Sequence, residues 1–188
     1  MVGTAVVGLI GLVALDAFGE GVAFAALALA AAYPVLIELS TIMVAENLLT
    51  ALALAAIWAM LRASRAKRAY RWIAAAGVLT GLATLAHENG ILLLLPLGAA
   101  VWGLGRTRGL GRPKPLAVLI ATTALAIAPW TIRNAVLLHR FIPVSDETGI
   151  TLVGAYNGAS AAYPRAPYKW RISSRSPASE SLCARLRD

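Results

Sequence analysis

Four ionisable residues stand where ionisable groups are expensive. Glu38, Glu46, Glu88 and Arg133 each fall near one end of a long apolar run, and His87 and Asn89 flank Glu88. A carboxylate beside an imidazole can act as a general base, or hold a divalent cation through oxygen and nitrogen ligands. A guanidinium can grip a phosphate with two parallel N–H donors. Acid, base and phosphate clamp together suit a lipid-phosphate substrate. An ionisable group at the centre of a membrane span costs on the order of 2.5–3.5 kcal/mol by insertion scales, and such groups commonly serve ions, protons or substrates. The competing reading is that each merely marks a helix end, where a charge meets headgroup water at little cost. Glu46 and the His87–Glu88–Asn89 cluster favour function, because apolar runs flank both and neither was needed to end a span. Glu38 suits a structural role equally well, and Arg133 also suits an anchor beside Trp130 in the interfacial aromatic belt.

The elements that must carry these residues follow from composition. The chain has 188 residues, 59% of them hydrophobic and only 14% charged, with a mean hydropathy of +0.72. That excludes a disordered chain, a disulfide scaffold and an ordinary soluble domain. Six apolar stretches can be drawn, at about 2–18, 21–42, 43–61, 72–88, 89–105 and 116–133, most of them long enough to cross a hydrocarbon core of ~30 Å. The expected fold is an all-α, polytopic transmembrane helical bundle of about six segments. The expected divisions are a membrane core over 1–134, an external juxtamembrane segment over 135–160 and an irregular tail over 161–188. The net charge of +8 does not signal nucleic acid here, because the basic residues lie in short loops between apolar runs. The single cysteine, Cys183, cannot form an intrachain disulfide.

One basic loop holds Arg62, Arg65, Lys67, Arg68 and Arg71, and a second holds Arg106, Arg108, Arg112 and Lys114. The positive-inside rule places both in the cytoplasm, so 72–105 must rise and return as a helical hairpin. Counting outward, Met1 starts outside, the Asp16–Gly21 turn is internal, and the chain after about Arg133 is external. Helix rise then gives the depth of each polar group. Glu38 lies 17 residues from Gly21, Glu46 16 from Arg62, Glu88 17 from Arg71 and Arg133 19 from Lys114. At ~1.5 Å per residue all four sit about 24–28 Å above the inner loops. Four spans thus place charge at one height, near the external face.

Other features have plainer readings. The first span has no basic residue before its apolar core, unlike a signal peptide, and reads as a mature span of a longer chain. Gly77 and Gly81 form a small-xxx-small pair that permits close helix packing, and read equally well as two of the many glycines of membrane helices. Tyr163, Tyr168 and Trp170 beside Arg165, Lys169 and Arg171 suit a site on anionic headgroups, but the plainer reading, a loop with no specific role, is preferred. His139 reads as an interfacial residue, and Ser173–Asp188 as a Ser/Arg-rich tail without apolar periodicity. No Gly-rich phosphate loop, zinc spacing or nucleophile elbow occurs.

The order of motifs resembles that of polytopic GT-C glycosyltransferases. Tyr33-Pro34 through Ser40 and Glu46-Asn47-Leu48 are similar to a family segment in which a proline precedes a Ser-rich stretch and an acidic residue. Gly81-Leu82-Ala83 through Leu85, His87-Glu88 and Leu92–Pro96 are similar to the family's hairpin. The most specific match is Ala128-Pro129-Trp130-Thr131-Ile132-Arg133-Asn134, followed by Arg140–Ser145 and by Gly149-Ile150 through Asn157. The resemblance covers about residues 4–160 and points to the protein-mannosyltransferase and aminoarabinose-transferase-like branch.

The resemblance implies a multi-pass protein of the plasma or inner membrane. It would transfer a hexosyl or pentosyl unit from a polyprenyl-phosphate-linked donor to a protein, lipid or glycan acceptor on the external side. Glu46, His87, Glu88 and Arg133 are the expected substrate-binding residues. His87 stands where relatives carry Arg or Lys. The family's catalytic acid falls in an external loop that would precede residue 1, so no catalytic residue is assigned, and the chain is expected to be a truncated piece, inactive alone. No cofactor is required by the pattern, and a divalent cation is left open. Membrane lipids are expected partners; nucleic acid is not. Two other classes fit the polar ring, a small transporter or channel module and a non-catalytic membrane subunit, but neither explains the ordered matches around Trp130–Asn134.

Overall fold

The computed structural model describes residues 2–41, 45–107, 113–139, 141–145 and Ala155. Arg108, Arg112 and Arg140, the family-like stretch from Gly149 to Asn157 apart from Ala155, and the Ser/Arg-rich tail lie outside the described residues. Among the described residues the regular structure is all helical. The helices are α1 (Val2–Phe18), α2 (Glu20–Ala32), α3 (Pro34–Thr41), α4 (Ala45–Arg65), α5 (Ala69–Ala86), α6 (Leu94–Thr107) and α7 (Pro113–Leu138), with a 3₁₀ segment, Glu88–Leu93, between α5 and α6. Four stretches are long and apolar enough to cross a membrane: α4, α5, Glu88–Gly105 and α7. Phe24, Leu29, Leu95 and Leu125 are 71–74% exposed. Side chains of that size and exposure on every flank would be costly in water and are ordinary against lipid. The chain is an integral membrane protein built as a helical bundle.

A single residue joins α1 to α2. Gly19 sits at φ 91°, a left-handed conformation that only glycine adopts without strain. Its N–H donates to the Leu15 carbonyl at 3.1 Å, and its own carbonyl accepts from Ala23 N–H at 3.1 Å. The chain therefore reverses at once, and Gly11 of α1 lies directly against Leu27 of α2.

The expected single span over 21–42 is instead two helices. Tyr33 is extended (φ −74°, ψ 113°) between α2 and α3, and Pro34 opens α3. Proline has no N–H to donate to Ala30, its ring crowds that carbonyl, and it disfavours helix at the preceding residue. As the first residue of a new helix it costs nothing.

The core forms where small residues let helices approach. Ala56, Ala59, Met60 and Ala63 of α4 meet Ile73 and Ala76 of α5, with Leu97, Val101 and Leu119 closing the cluster. Against α7, a Cβ on Gly77 would lie 2.6 Å from the Leu119 carbonyl oxygen, and one on Gly81 would lie 2.6 Å from Ala126 Cβ. Both glycines of the pair are thus consumed by helix contact. Across the same seam Thr123 Oγ1 donates to the Gly77 carbonyl at 3.0 Å. Thr80 and Thr84 return their hydroxyl protons to the Ala76 and Thr80 carbonyls, each at 2.8 Å, which keeps buried polar groups satisfied without water.

Candidate functional site

Helix directions place the polar residues. Gly77 meets Leu119 and Thr122 while Gly81 meets Thr123 and Ala126, so α5 and α7 run parallel. Continuing that register beyond the end of α5 puts Glu88 level with Trp130–Arg133. α4 runs against α5: its Ala63 end packs near Ile73, while Leu49 and Thr50 face Asn89, Leu92 and Leu93. Glu46, in the first turn of α4, therefore stands at the same end of the bundle as Glu88 and Arg133. This is the end opposite the Arg62–Arg71 loop. Glu38 lies on α3, where its side chain is exposed.

The hairpin tip is shaped by backbone rather than by side-chain charge. His87 is extended (φ −156°, ψ 131°), its Nδ1 accepts from Asn89 N–H at 3.3 Å, and its carbonyl accepts from Gly90 N–H at 2.8 Å. An acceptor role at Nδ1 leaves any proton of the neutral ring on Nε2. Gly90 is pressed against the backbone of Ala83 and Thr84, where a Cβ would come within 2.5 Å. The 3₁₀ segment can therefore fold back over the end of α5 only with glycine at that position. His87 and Glu88 are half-buried and Asn89 is exposed.

Below the tip, α4 and the 3₁₀ segment do not close. A cavity of about 390 Å³ lies between them, lined by Thr50, Ala53, Leu54 and Ile57 on one side and by Asn89 and Leu92 on the other. Among the described residues its polar lining side chains are Thr50 and Asn89, toward the end that carries Glu46 and Glu88, and the other lining side chains are aliphatic. Thr50 Oγ1 is already committed to the Glu46 carbonyl at 2.7 Å, so Asn89 is the polar side chain at the rim that can turn to a ligand.

Arg133 is held on its own helix. Its guanidinium carbon lies 5.0 Å from the centroid of the Trp130 ring, within cation–π range, and Nη1 donates to Asn134 Oδ1 at 3.4 Å. α7 continues past Arg133 to Leu138, and the following chain folds back along it. Trp130 Nε1 donates to the Val144 carbonyl at 3.0 Å, Thr131 Oγ1 to Pro143 at 2.8 Å and Asn134 Nδ2 to Ile142 at 3.2 Å. The sequence marks Arg133 as a candidate and Trp130 as an interfacial aromatic, but does not disclose this ladder. Its one sequence signal is the spacing of three donors, at 130, 131 and 134, on adjoining positions of a helix surface.

The opposite end handles charge differently. Asp16 Oδ2 lies 3.0 Å from Arg62 Nε and Oδ1 lies 3.6 Å from Arg65 Nη1; the closer contact is ionic and lacks hydrogen-bond geometry. The Arg62 guanidinium also covers Trp58 at 5.3 Å, and Trp58 meets Trp72 edge-on at 5.5 Å. The Asp16 turn and the Arg62–Arg65 loop therefore occupy one end, as the topology read from the basic loops requires.

The structure thus places Glu46, His87, Glu88 and Arg133 toward one end of the bundle, with the apolar cavity between α4 and the 3₁₀ segment and Arg133 on α7. It does not draw them into a metal centre: among the described residues no group of three or more His, Cys, Asp or Glu could hold a metal ion. A helical membrane bundle with polar groups ringed at one end is the architecture of an enzyme or carrier working at a lipid interface. The chain belongs to the dolichyl-phosphate-mannose-protein mannosyltransferase family, whose family model matches residues 1–132. It is accordingly a membrane glycosyltransferase of the mannosyltransferase-like kind, in a family that uses lipid-linked sugar donors. No curated protein and no solved structure matches the chain.

Proposed function

We propose that the polar end of the bundle binds a polyprenyl-phosphate-linked sugar on the external face of the membrane, for transfer of that sugar to an acceptor hydroxyl. In such a transfer the acceptor oxygen attacks the anomeric carbon, the bond from that carbon to the phosphate oxygen breaks, and a base removes the acceptor's proton. The lipid phosphate departs with the bonding electrons, so its growing negative charge must be stabilised. Arg133 supplies that stabilisation, with its guanidinium already stacked and oriented. Glu46, Glu88 and His87 hold sugar hydroxyls, and the aliphatic cavity beneath Asn89 takes the first part of the polyprenyl chain. The residue that removes the proton is not assigned.

The observation that carries this reading is the pairing of Glu46 and Asn89 with an apolar cavity between α4 and the 3₁₀ segment, at the same end of the bundle as Arg133 of α7. An amphiphile with one charged head and one hydrocarbon tail matches that pairing. The test is binding of a polyprenyl-phosphate sugar to the full chain in lipid nanodiscs. Arg133→Ala should weaken binding about 10–100-fold, the range for losing hydrogen bonds to a charged group. Equal affinity of the variant and the parent would overturn the phosphate role.

A further inference from the structure

The two groups that hold Arg133 are the same two that hold the chain folded back along α7. Trp130 presents its ring face to the guanidinium at 5.0 Å and spends its one N–H on the Val144 carbonyl. An indole has a single donor, so that bond fixes the plane of the ring, and the plane decides whether a cation can stack on it. Asn134 is 4% exposed. Its Nδ2 donates to the Ile142 carbonyl, and the amide's planarity then points Oδ1 at Arg133, which donates to it at 3.4 Å. Between them Thr131 ties down Pro143 at 2.8 Å. Three consecutive carbonyls of one non-helical segment are therefore taken by three side chains of one helix face, and two of those side chains contact the same arginine.

We infer that Ile142–Val144 is a positioning strap for Arg133: docking of this segment on α7 sets the plane of the Trp130 ring and the face of the Asn134 amide, and so sets the direction of the guanidinium. Ile142 and Val144 reach Arg133 only through Trp130 and Asn134. When the strap leaves α7, Trp130 Nε1 and Asn134 Nδ2 lose their acceptors, both side chains are free to rotate, and Arg133 loses its stacking surface and its acceptor together. Any force or ligand acting on the chain beyond Val144 would thereby reach Arg133 without touching it. This coupling goes beyond the donor-binding reading and does not depend on which anion Arg133 meets.

The test needs no substrate. In the full chain, isotope-labelled and held in detergent micelles, the Arg133 Nε–H signal is identified by its disappearance in Arg133→Lys. Stacking on an indole should hold that signal upfield of its position in a free arginine. Ile142→Gly and Val144→Gly, made singly, loosen the strap by adding backbone freedom while leaving α7, Trp130 and Asn134 intact. Each should move the Arg133 signal toward the free position, and the pair together should move it furthest. Asn134→Ala should do the same, whereas Leu137→Ala on the exposed side of α7 should leave the signal in place. An Arg133 signal that stays in place in both glycine variants would overturn the inference. Failure of the parent chain to bind a polyprenyl phosphate would contradict the proposed function and would leave this result standing.

Discussion

The two ends of the bundle use the same residue types to opposite purposes. At the Arg62–Arg71 end, Asp16 sits among arginines, with its side chain 12% exposed, and its charge is met by Arg62 and Arg65. Trp58 and Trp72 seal the place. Carboxylate and cation come from different helices, so the contact fastens α1 to α4. At the far end the carboxylates of Glu46 and Glu88 start separate elements, while Arg133 is held by an aromatic ring and an amide on its own helix. A guanidinium stacked and supported in this way keeps donors for an incoming anion, since neither a ring nor a single long hydrogen bond neutralises it.

The contrast can be broken most forcibly at the α5–α7 seam on which both ends depend. Gly81→Leu must push aside Ala126 and the Thr123 backbone. It should lower stability by about 3 kcal/mol, the upper part of the overpacking range, measured as denaturation of the purified protein in micelles. Arg133→Lys comes next. A lysine keeps the charge but loses the planar fork, so donor binding should fall by about 10-fold, with thermal stability unchanged. Thr123→Val removes the seam hydrogen bond to Gly77 and should cost about 0.6 kcal/mol, the average for a hydrogen bond between membrane helices. Asp16→Asn should have the smallest effect on donor binding, none, with a modest cost in stability. Its partners are half exposed, and a screened pair of this kind contributes at most about 1 kcal/mol. Its distinguishing outcome is unchanged donor affinity; a loss as large as that of Arg133→Lys would erase the difference between the two ends.

The fold was legible in the sequence where a physical constraint acts on side chains. Basic loops fix which ends of the spans lie together, and the Asp16–Arg62 contact agrees with that counting. Gly77 and Gly81 left close packing as one of two readings, and their contacts with Leu119 and Ala126 of α7 decide for it. The break at Tyr33–Pro34 had its signal in the proline, which an uninterrupted apolar run concealed. The candidate residues were legible as polar groups at one depth, since helix rise alone converts spacing into height. Their surroundings were not. The strap is held by main-chain carbonyls of Ile142, Pro143 and Val144, and carbonyls are common to every residue, so the pattern names the donors and hides the acceptors. The cavity under Asn89 was equally hidden. It arises from the failure of α4 and the 3₁₀ segment to close, a property of helix placement that hydrophobic periodicity does not encode.

The most direct measurement of the central claim is photo-cross-linking of the chain, in nanodiscs, with a polyprenyl phosphate carrying a photoreactive group on its first isoprene units, followed by mapping of the adducts. Donor binding at the polar end predicts adducts concentrated on Ala53, Leu54, Ile57 and Leu92, and suppressed by unlabelled polyprenyl-phosphate sugar. Adducts spread over the lipid-facing positions Phe24, Leu95 and Leu125, and indifferent to that competitor, would contradict it.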